Sequence, residues 1–383
     1  MKALVALMIS ALMAGCASAP PMPPSADLFH DALFAPPSAP VRADTAMAIS
    51  PAMRDYIATR IVAPSRFSDP RHRLIEVLSR KDELRLEYDA TETRTAAQAF
   101  EARSGNCLAL VMMTGALAKE MGLTVRYQAV VGDDAWDRSG DLYVAVGHVN
   151  LALVDRVPRA GFGFIENAPM TIDFVPPRSA QALRTRVISE PTVIAMYLNN
   201  RAVESLAAGK ANDAYWWARE AIRTDPELLS AYITLGVVYR NQRHPALADQ
   251  ALQRVLAREP GNTKAMANRV LVLDDLGRRA EAAAQKQQLA RLDPHPPYSY
   301  FNEGMAALRQ KRFEAARALF AKEVDRAPYQ HEFQFWLAVT YFELHDAKRA
   351  GAHLQRAMEV STTRKDHALY AAKLDRLKAL QAQ

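Results

Sequence analysis

The period of the apolar positions changes twice along the chain and divides it. From residue 50 to about 122 apolar residues recur at helical spacing. Ser50-Pro51 puts a capping residue before proline at the first helical position and predicts a helix to about Ile61. Asp69-Pro70 repeats the device and predicts one to about Arg80, and a third is expected over about Ala96–Arg103. Arg103–Gly122 reads RSGNCLALVMMTGALAKEMG: Asn106 is a capping residue, an apolar helix follows, and Gly122 stops it. Beyond Gly122 the runs become extended. Strands are expected over Thr124–Val131, Leu142–Val154, Gly163–Glu166 and Thr171–Val175, the second with the continuous apolar character of a strand covered on both faces. Asp133–Asp141, between the first two, reads as a polar hairpin loop, with Trp136 available to wall a cleft. Helices followed by an antiparallel sheet predict an α+β domain over 50–188.

From 189 to 383 the helical period returns and repeats. Pro226, Pro260, Pro294 and Pro328 are spaced 34 residues apart, as are Ala214, Ala248, Ala282, Ala316 and Ala350. Tyr232, Leu235-Gly236, Tyr239, Ala248 and Pro260 fall at the offsets of the tetratricopeptide signature, and the region resembles that family. The resemblance implies an all-α solenoid of five helix pairs with 365–381 as a capping helix. Arg269 and Glu303 depart from it, standing where Leu is usual. Most of the solenoid's aromatics are expected in the core between helices, with a surplus around 298–301 and 333–336 for a binding face. Architecture of this kind implies a protein or peptide partner.

The N-terminus has a different character. One Lys, an apolar run from Ala3 to Met13 and Ala14-Gly15-Cys16 follow one another. The run is too short to span a bilayer and reads as the core of a secretory signal over 1–15. Ala14-Gly15-Cys16 resembles a bacterial lipobox, although Met13 stands where that pattern prefers Leu. The resemblance implies lipidation of Cys16 and a lipoprotein of the cell envelope. Ala17 after the cysteine points to the periplasmic face of the outer membrane, with the lipid as the only membrane contact. Prolines 20, 21, 23, 24, 36, 37 and 40 then suit an extended tether over 16–49, interrupted by Leu28-Phe29 and Leu33-Phe34, which could dock.

The candidate chemistry centres on the second of the two cysteines. Cys107 falls in the first turn of its helix, where unpaired N–H groups and the helix dipole favour a thiolate. Taken alone, a cysteine there is more often a small core residue. GNCLAL at 105–110, GHVNLAL at 147–153 and TIDFVPP at 171–177 together resemble three motif blocks of the transglutaminase-like superfamily. The resemblance covers about 50–180 and implies a papain-like fold with Cys107 as nucleophile, His148 as base and Asp173 as the residue orienting it. It implies attack on an amide carbonyl to give a thioester that water or an amine resolves. The backbone N–H of Cys107 is the natural oxyanion donor; Gln128 and Trp136 are candidates for a second.

Other chemistries find little support. The formal charge is +6, but 48 basic and 42 acidic residues are interleaved, so no basic stripe points to nucleic acid. Asp133, Asp134, Asp137 and Asp141 lack the spacing of a calcium loop, and the nine histidines form no HExxH pair. No metal and no cofactor is expected. The first reading is a peptidase-like thiol amidohydrolase, acting on a peptide or isopeptide amide, beside a partner-binding solenoid. Its rivals are a catalytically silent scaffold and a transamidase.

Overall fold

The computed structural model describes residues 26–62, 69–80, 83–84, 86–130, 135–139, 142–146, 148–154, 156–159, 163–166, 168–174, 184–361 and 363–381. Cys16, the expected lipidation site, and the signal segment 1–15 lie outside the described residues.

The expected helices of the N-terminal part form, those at Ser50 and Asp69 on the expected caps. Ser50 accepts from the backbone N–H of Met53 at the start of α1 (Pro51–Tyr56), which a π-helical turn continues over Ile57–Val62. Asp69 caps α2 (Pro70–Ser79), and Thr95 with Gln98 makes a reciprocal capping box on α3 (Ala96–Ala102). Arg103 then takes a left-handed conformation, φ 52°, and turns the chain toward the next helix. That helix, α4 (Cys107–Glu120), is buried from Cys107 through Ala118, and Gly122 ends it at φ 78°. A Cβ on Gly115 would sit 2.9 Å from Cε1 of Tyr127, so glycine is what lets α4 lie directly on the sheet.

The strand pattern is only partly as expected. β3 (Thr124–Val130), β6 (Val149–Val154), β9 (Met170–Ile172) and β10 (Thr185–Ile188) form one antiparallel sheet in the order β10-β3-β6-β9. The run Leu142–Val154 is not one strand. Its first part, β5 (Leu142–Val146), pairs with β4 (Ala135–Ser139), while β6 pairs with β3. The chain changes partners between the two, which a continuous apolar run cannot reveal. β4 also occupies most of what reads as a loop over 133–141. A second hairpin, β7 (Arg156–Arg159) with β8 (Gly163–Glu166), and a two-residue parallel pair, β1 (Glu87–Tyr88) with β2 (Ser104–Gly105), complete the strands among the described residues.

From Ser189, which caps it, the chain becomes helical throughout. The pairs are α5 (Glu190–Ala207) with α6 (Ala211–Thr224), α7 (Leu229–Asn241) with α8 (Pro245–Arg258), and α9 (Thr263–Asp275) with α10 (Arg279–Leu292). They continue with α11 (Ser299–Arg309) and α12 (Phe313–Arg326), then α13 (His331–Glu343) and α14 (Ala347–Glu359), before α15 (Arg364–Gln381). Those are the five pairs and the end helix the 34-residue spacing implies. The alanines in register are 0–1% exposed, placed where paired helices come closest. A second register appears only in the backbone. Gly209, Arg243, Gly277, Lys311 and His345, each 34 residues after the last, all have positive φ and turn the chain between the helices of a pair. Tyr298, Phe301 and Phe333 are buried together with Phe320, so much of the aromatic surplus is core.

The supposed tether is docked from Ala26 onward. Two 3-10 turns, Ala26–Leu28 and Asp31–Leu33, bring Leu28 and Phe34 against the repeats. Phe34 stacks on Tyr215 with centroids 3.8 Å apart, and the hydroxyl of Tyr239 donates to the carbonyl of Leu28 at 2.6 Å. Trp216 donates to the carbonyl of Ala35 at 2.7 Å, and Asp213 accepts from both the N–H and the hydroxyl of Ser38. Further along, Ala46 is fully buried and its carbonyl accepts from the N–H of Ala96. The proline-rich composition excludes regular structure without excluding a fixed path. One apolar core, continuous from Leu28 to Val272, joins this strap, the α+β part and the first repeats.

Candidate functional site

Three sequence segments converge at one end of α4. Asn106 accepts from the N–H of Ala109 at 2.9 Å through Oδ1, which fixes the first turn and sets Cys107 at its first position. Gly105 is needed beside it, because a Cβ there would lie 2.9 Å from that of Ala109. His148 stands just before β6, where its carbonyl accepts from the N–H of Val130 at 2.9 Å. Asp173 follows β9 directly. Since Leu151 pairs with Ile172, the same antiparallel register sets Asp173 opposite Asn150.

The structure brings Cys107, His148 and Asp173 together. His148 Nε2 lies 2.8 Å from Asp173 Oδ2, and Cys107 is close enough to the ring to influence its protonation. Burial alone would lower the pKa of His148. The bond to Asp173 and then the contact with Cys107 outweigh it and raise the value to about 9. Both reacting groups are covered: Cys107 is 4% exposed and His148 6%, whereas the side chain of Asp173 is 24% exposed. Cys107 is a free thiol.

A further member is absent from the sequence reading. Asn150 donates through Nδ2 to Asp173 Oδ2 at 3.1 Å and is 2% exposed. It lies two residues after His148 in the same motif, the spacing at which strand side chains share a face, and that is the signal that could have found it. Of the two candidates for a second oxyanion donor, Gln128 pairs with Asn150 across β3 and β6, and Trp136 belongs to β4. Asp133, Asp134 and Asp141 lie outside the described residues. Among the described residues no group of three or more His, Cys, Asp or Glu is placed to hold a metal ion, and no helix is long and apolar enough to cross a membrane.

Similarity to known proteins follows the repeats. A tetratricopeptide-repeat family profile matches residues 233–295, 268–331 and 301–359, and the C-terminal half of the chain is a tetratricopeptide solenoid. The type IV pilus assembly protein PilF of Pseudomonas aeruginosa is 26% identical over 121 residues, which are 31% of this chain and 48% of PilF. A probable UDP-N-acetylglucosamine–peptide N-acetylglucosaminyltransferase SPINDLY of Hordeum vulgare is 24% identical over 116 residues, 28% of this chain and 12% of that protein. The chain thus spans about half of one curated relative and about an eighth of the other. Among solved structures, TTC0263 of Thermus thermophilus, a tetratricopeptide protein, has a TM-score of 0.31 at 16% identity, covering 47% of this chain and 98% of its own. YrrB, a tetratricopeptide protein described as having an unusual peptide-binding site, has a TM-score of 0.25 at 21% identity, covering 47% and 92%.

Proposed function

We propose that the chain is a partner-binding scaffold that carries a thiol site for amide cleavage. Tetratricopeptide solenoids bind peptide or protein partners, and this one supplies the binding surface. The site reading rests on one observation, the bond of His148 to Asp173 beside a Cys107 near enough to influence the ring. It agrees with the transglutaminase-like resemblance and its papain-like arrangement of helix and sheet. The expected setting, a lipid-anchored protein on the periplasmic face of the outer membrane, is part of the same proposal.

In this reading the proton of the Cys107 thiol rests on His148, as an imidazolium paired with the thiolate. The sulfur then bonds to the carbonyl carbon of a peptide or isopeptide amide. Asp173 keeps the proton on Nε2 and balances the imidazolium. The C–N bond breaks as His148 returns its proton to the leaving amine, and a thioester remains on Cys107. Water activated by the same ring hydrolyses it and restores the thiol. Water needs no second binding site, which favours hydrolysis over transamidation.

A second reading has its own observation. With Cys107 and His148 only 4% and 6% exposed, a silent site beneath a working scaffold is the alternative. Incubation of the full chain with peptide amide libraries separates the two readings. The amidohydrolase reading expects amine release and a trapped thioester mass, both lost in Cys107→Ala, and diversion to hydroxamate when hydroxylamine is added. No release and no adduct across the libraries, with Cys107 reactivity indifferent to His148, would leave the scaffold alone.

A further inference from the structure

We propose that Glu204, on the first helix of the repeat domain, is a positioning residue for Cys107, so that the solenoid completes the thiol site. The inference rests on the reading above. Asn106 spends Oδ1 on the N–H of Ala109 at 2.9 Å, so its amide nitrogen faces the other way and donates to Oγ1 of Thr93 at 2.8 Å. Asn200, on α5, also points its Nδ2 at that oxygen, at 3.4 Å.

Thr93 is 1% exposed and its hydroxyl has a single proton to give. That proton goes to Oε1 of Glu204 at 2.6 Å, and the backbone N–H of Thr93 reaches the same oxygen at 2.8 Å. The other carboxylate oxygen accepts from Arg201 at 3.0 Å, and Arg201 is held in turn by Glu92 at 2.6 Å. The hydroxyl proton of Thr93 and the Oδ1 of Asn106 are thereby assigned. A flipped Asn106 would set its NH2 against the N–H of Ala109, lose the cap, and turn Thr93 away from the carboxylate. Glu204 therefore selects the orientation of the residue that directly precedes Cys107.

α5 also meets the α+β part at a separate point, through Lys119 with Glu190 at 2.8 Å. The Glu204–Thr93–Asn106 line runs instead to the first turn of α4, where both the sulfur and the backbone N–H of Cys107 are set. Small displacements of a reacting group are costly in rate.

The test uses the full chain with Cys16→Ser, so that Cys107 is the single thiol, and reads the rate of alkylation by iodoacetamide at neutral pH beside the melting temperature. Thr93→Val keeps the shape and removes the hydroxyl, and Glu204→Ala removes the acceptor. Each is expected to slow labelling by about tenfold. Glu204→Gln keeps an oxygen for Thr93 and is expected to stay within about threefold of the parent. His148→Ala is run in parallel. Labelling that is unchanged or faster in Thr93→Val and Glu204→Ala, while His148→Ala slows it, would overturn this proposal and leave the thiol site standing. Glu204→Gln as slow as Glu204→Ala would also overturn it, because the effect would then not follow the acceptor oxygen. Indifference to His148 would remove the thiol-site reading itself. If Glu204→Ala fails to fold, Thr93→Val decides.

Discussion

Asn150 donates to the same oxygen of Asp173 that His148 binds, at 3.1 Å against 2.8 Å. The pair is set by the register of β6 and β9 and needs no loop to hold it. Asn150 therefore fixes where the carboxylate sits, and His148 follows. Asn150→Ala is predicted to slow alkylation of Cys107 by about three- to tenfold, a loss of about 1 kcal/mol in organisation. Asp173→Ala should slow it more. Equal rates in Asn150→Ala and the parent would show that β9 alone positions the carboxylate.

The proton on His148 makes stability depend on pH in a definite direction. The folded value, about 9, lies above the ordinary 6.5. Below about 6.5 the ring is protonated in both folded and unfolded chains, and its contribution is fully present. As pH rises toward 9 the unfolded ring gives up its proton while the folded one keeps it, and the contribution fades. Urea midpoints of the parent and His148→Gln, measured from pH 6 to about 10, should converge with rising pH. A gap that widens with pH would contradict the assignment.

How far the sequence reaches is clear from where it stops. Asn106, Gly122, Ser50 and Asp69 act through partners a few residues away, and local pattern finds them. The alanines and prolines of the solenoid repeat in register and are found by counting. By contrast, the bond from Thr93 to Glu204 spans 111 residues, and Phe34 of the strap stacks on Tyr215 of the first repeat. No periodicity carries such contacts. The division of Leu142–Val154 into β5 and β6 is hidden for a related reason, since each half is apolar but pairs with a different strand. The positive-φ positions stay hidden because Arg243, Lys311 and His345 share a conformation that Gly209 and Gly277 would advertise.

The strap over 26–49 is predicted to be part of the folded unit. Phe34 is 6% exposed and Leu28 2%. Phe34→Ala should cost about 3 kcal/mol, the low end for a buried aromatic at the margin of a core. It should also speed tryptic cleavage at Arg42 well beyond any change in global unfolding. Cleavage at the parent rate would mean that the hydrogen bonds from Tyr239, Trp216 and Asp213 hold the strap without the ring.

Arg269, the departure from the repeat pattern, has a structural partner. Its Nε donates to Asp249 Oδ1 at 2.6 Å, and Arg278 reaches Oδ2 of the same carboxylate at 2.7 Å. Gln253 also donates to Oδ2, so one nearly buried carboxylate ties α8, α9 and the start of α10. Asp249→Ala leaves Arg269 half-buried without its anion and should destabilise by about 3 kcal/mol. Asp249→Leu with Arg269→Leu restores the usual apolar packing and should return to within about 1 kcal/mol of the parent. A double variant as weak as the single one would show that the ion pair is specific to this solenoid.

The most direct test of the central claim is the dependence of Cys107 reactivity on His148. In the full chain with Cys16→Ser, iodoacetamide labelling at neutral pH is compared between the parent and His148→Ala, with melting curves to establish that both are folded. The low exposure of the sulfur makes the ratio of rates, not either rate alone, the quantity to read. A ring whose imidazolium stabilises the thiolate predicts that labelling falls by about a hundredfold in the variant. Labelling at the same slow rate in both would contradict the thiol site and leave a scaffold that binds its partners through the solenoid.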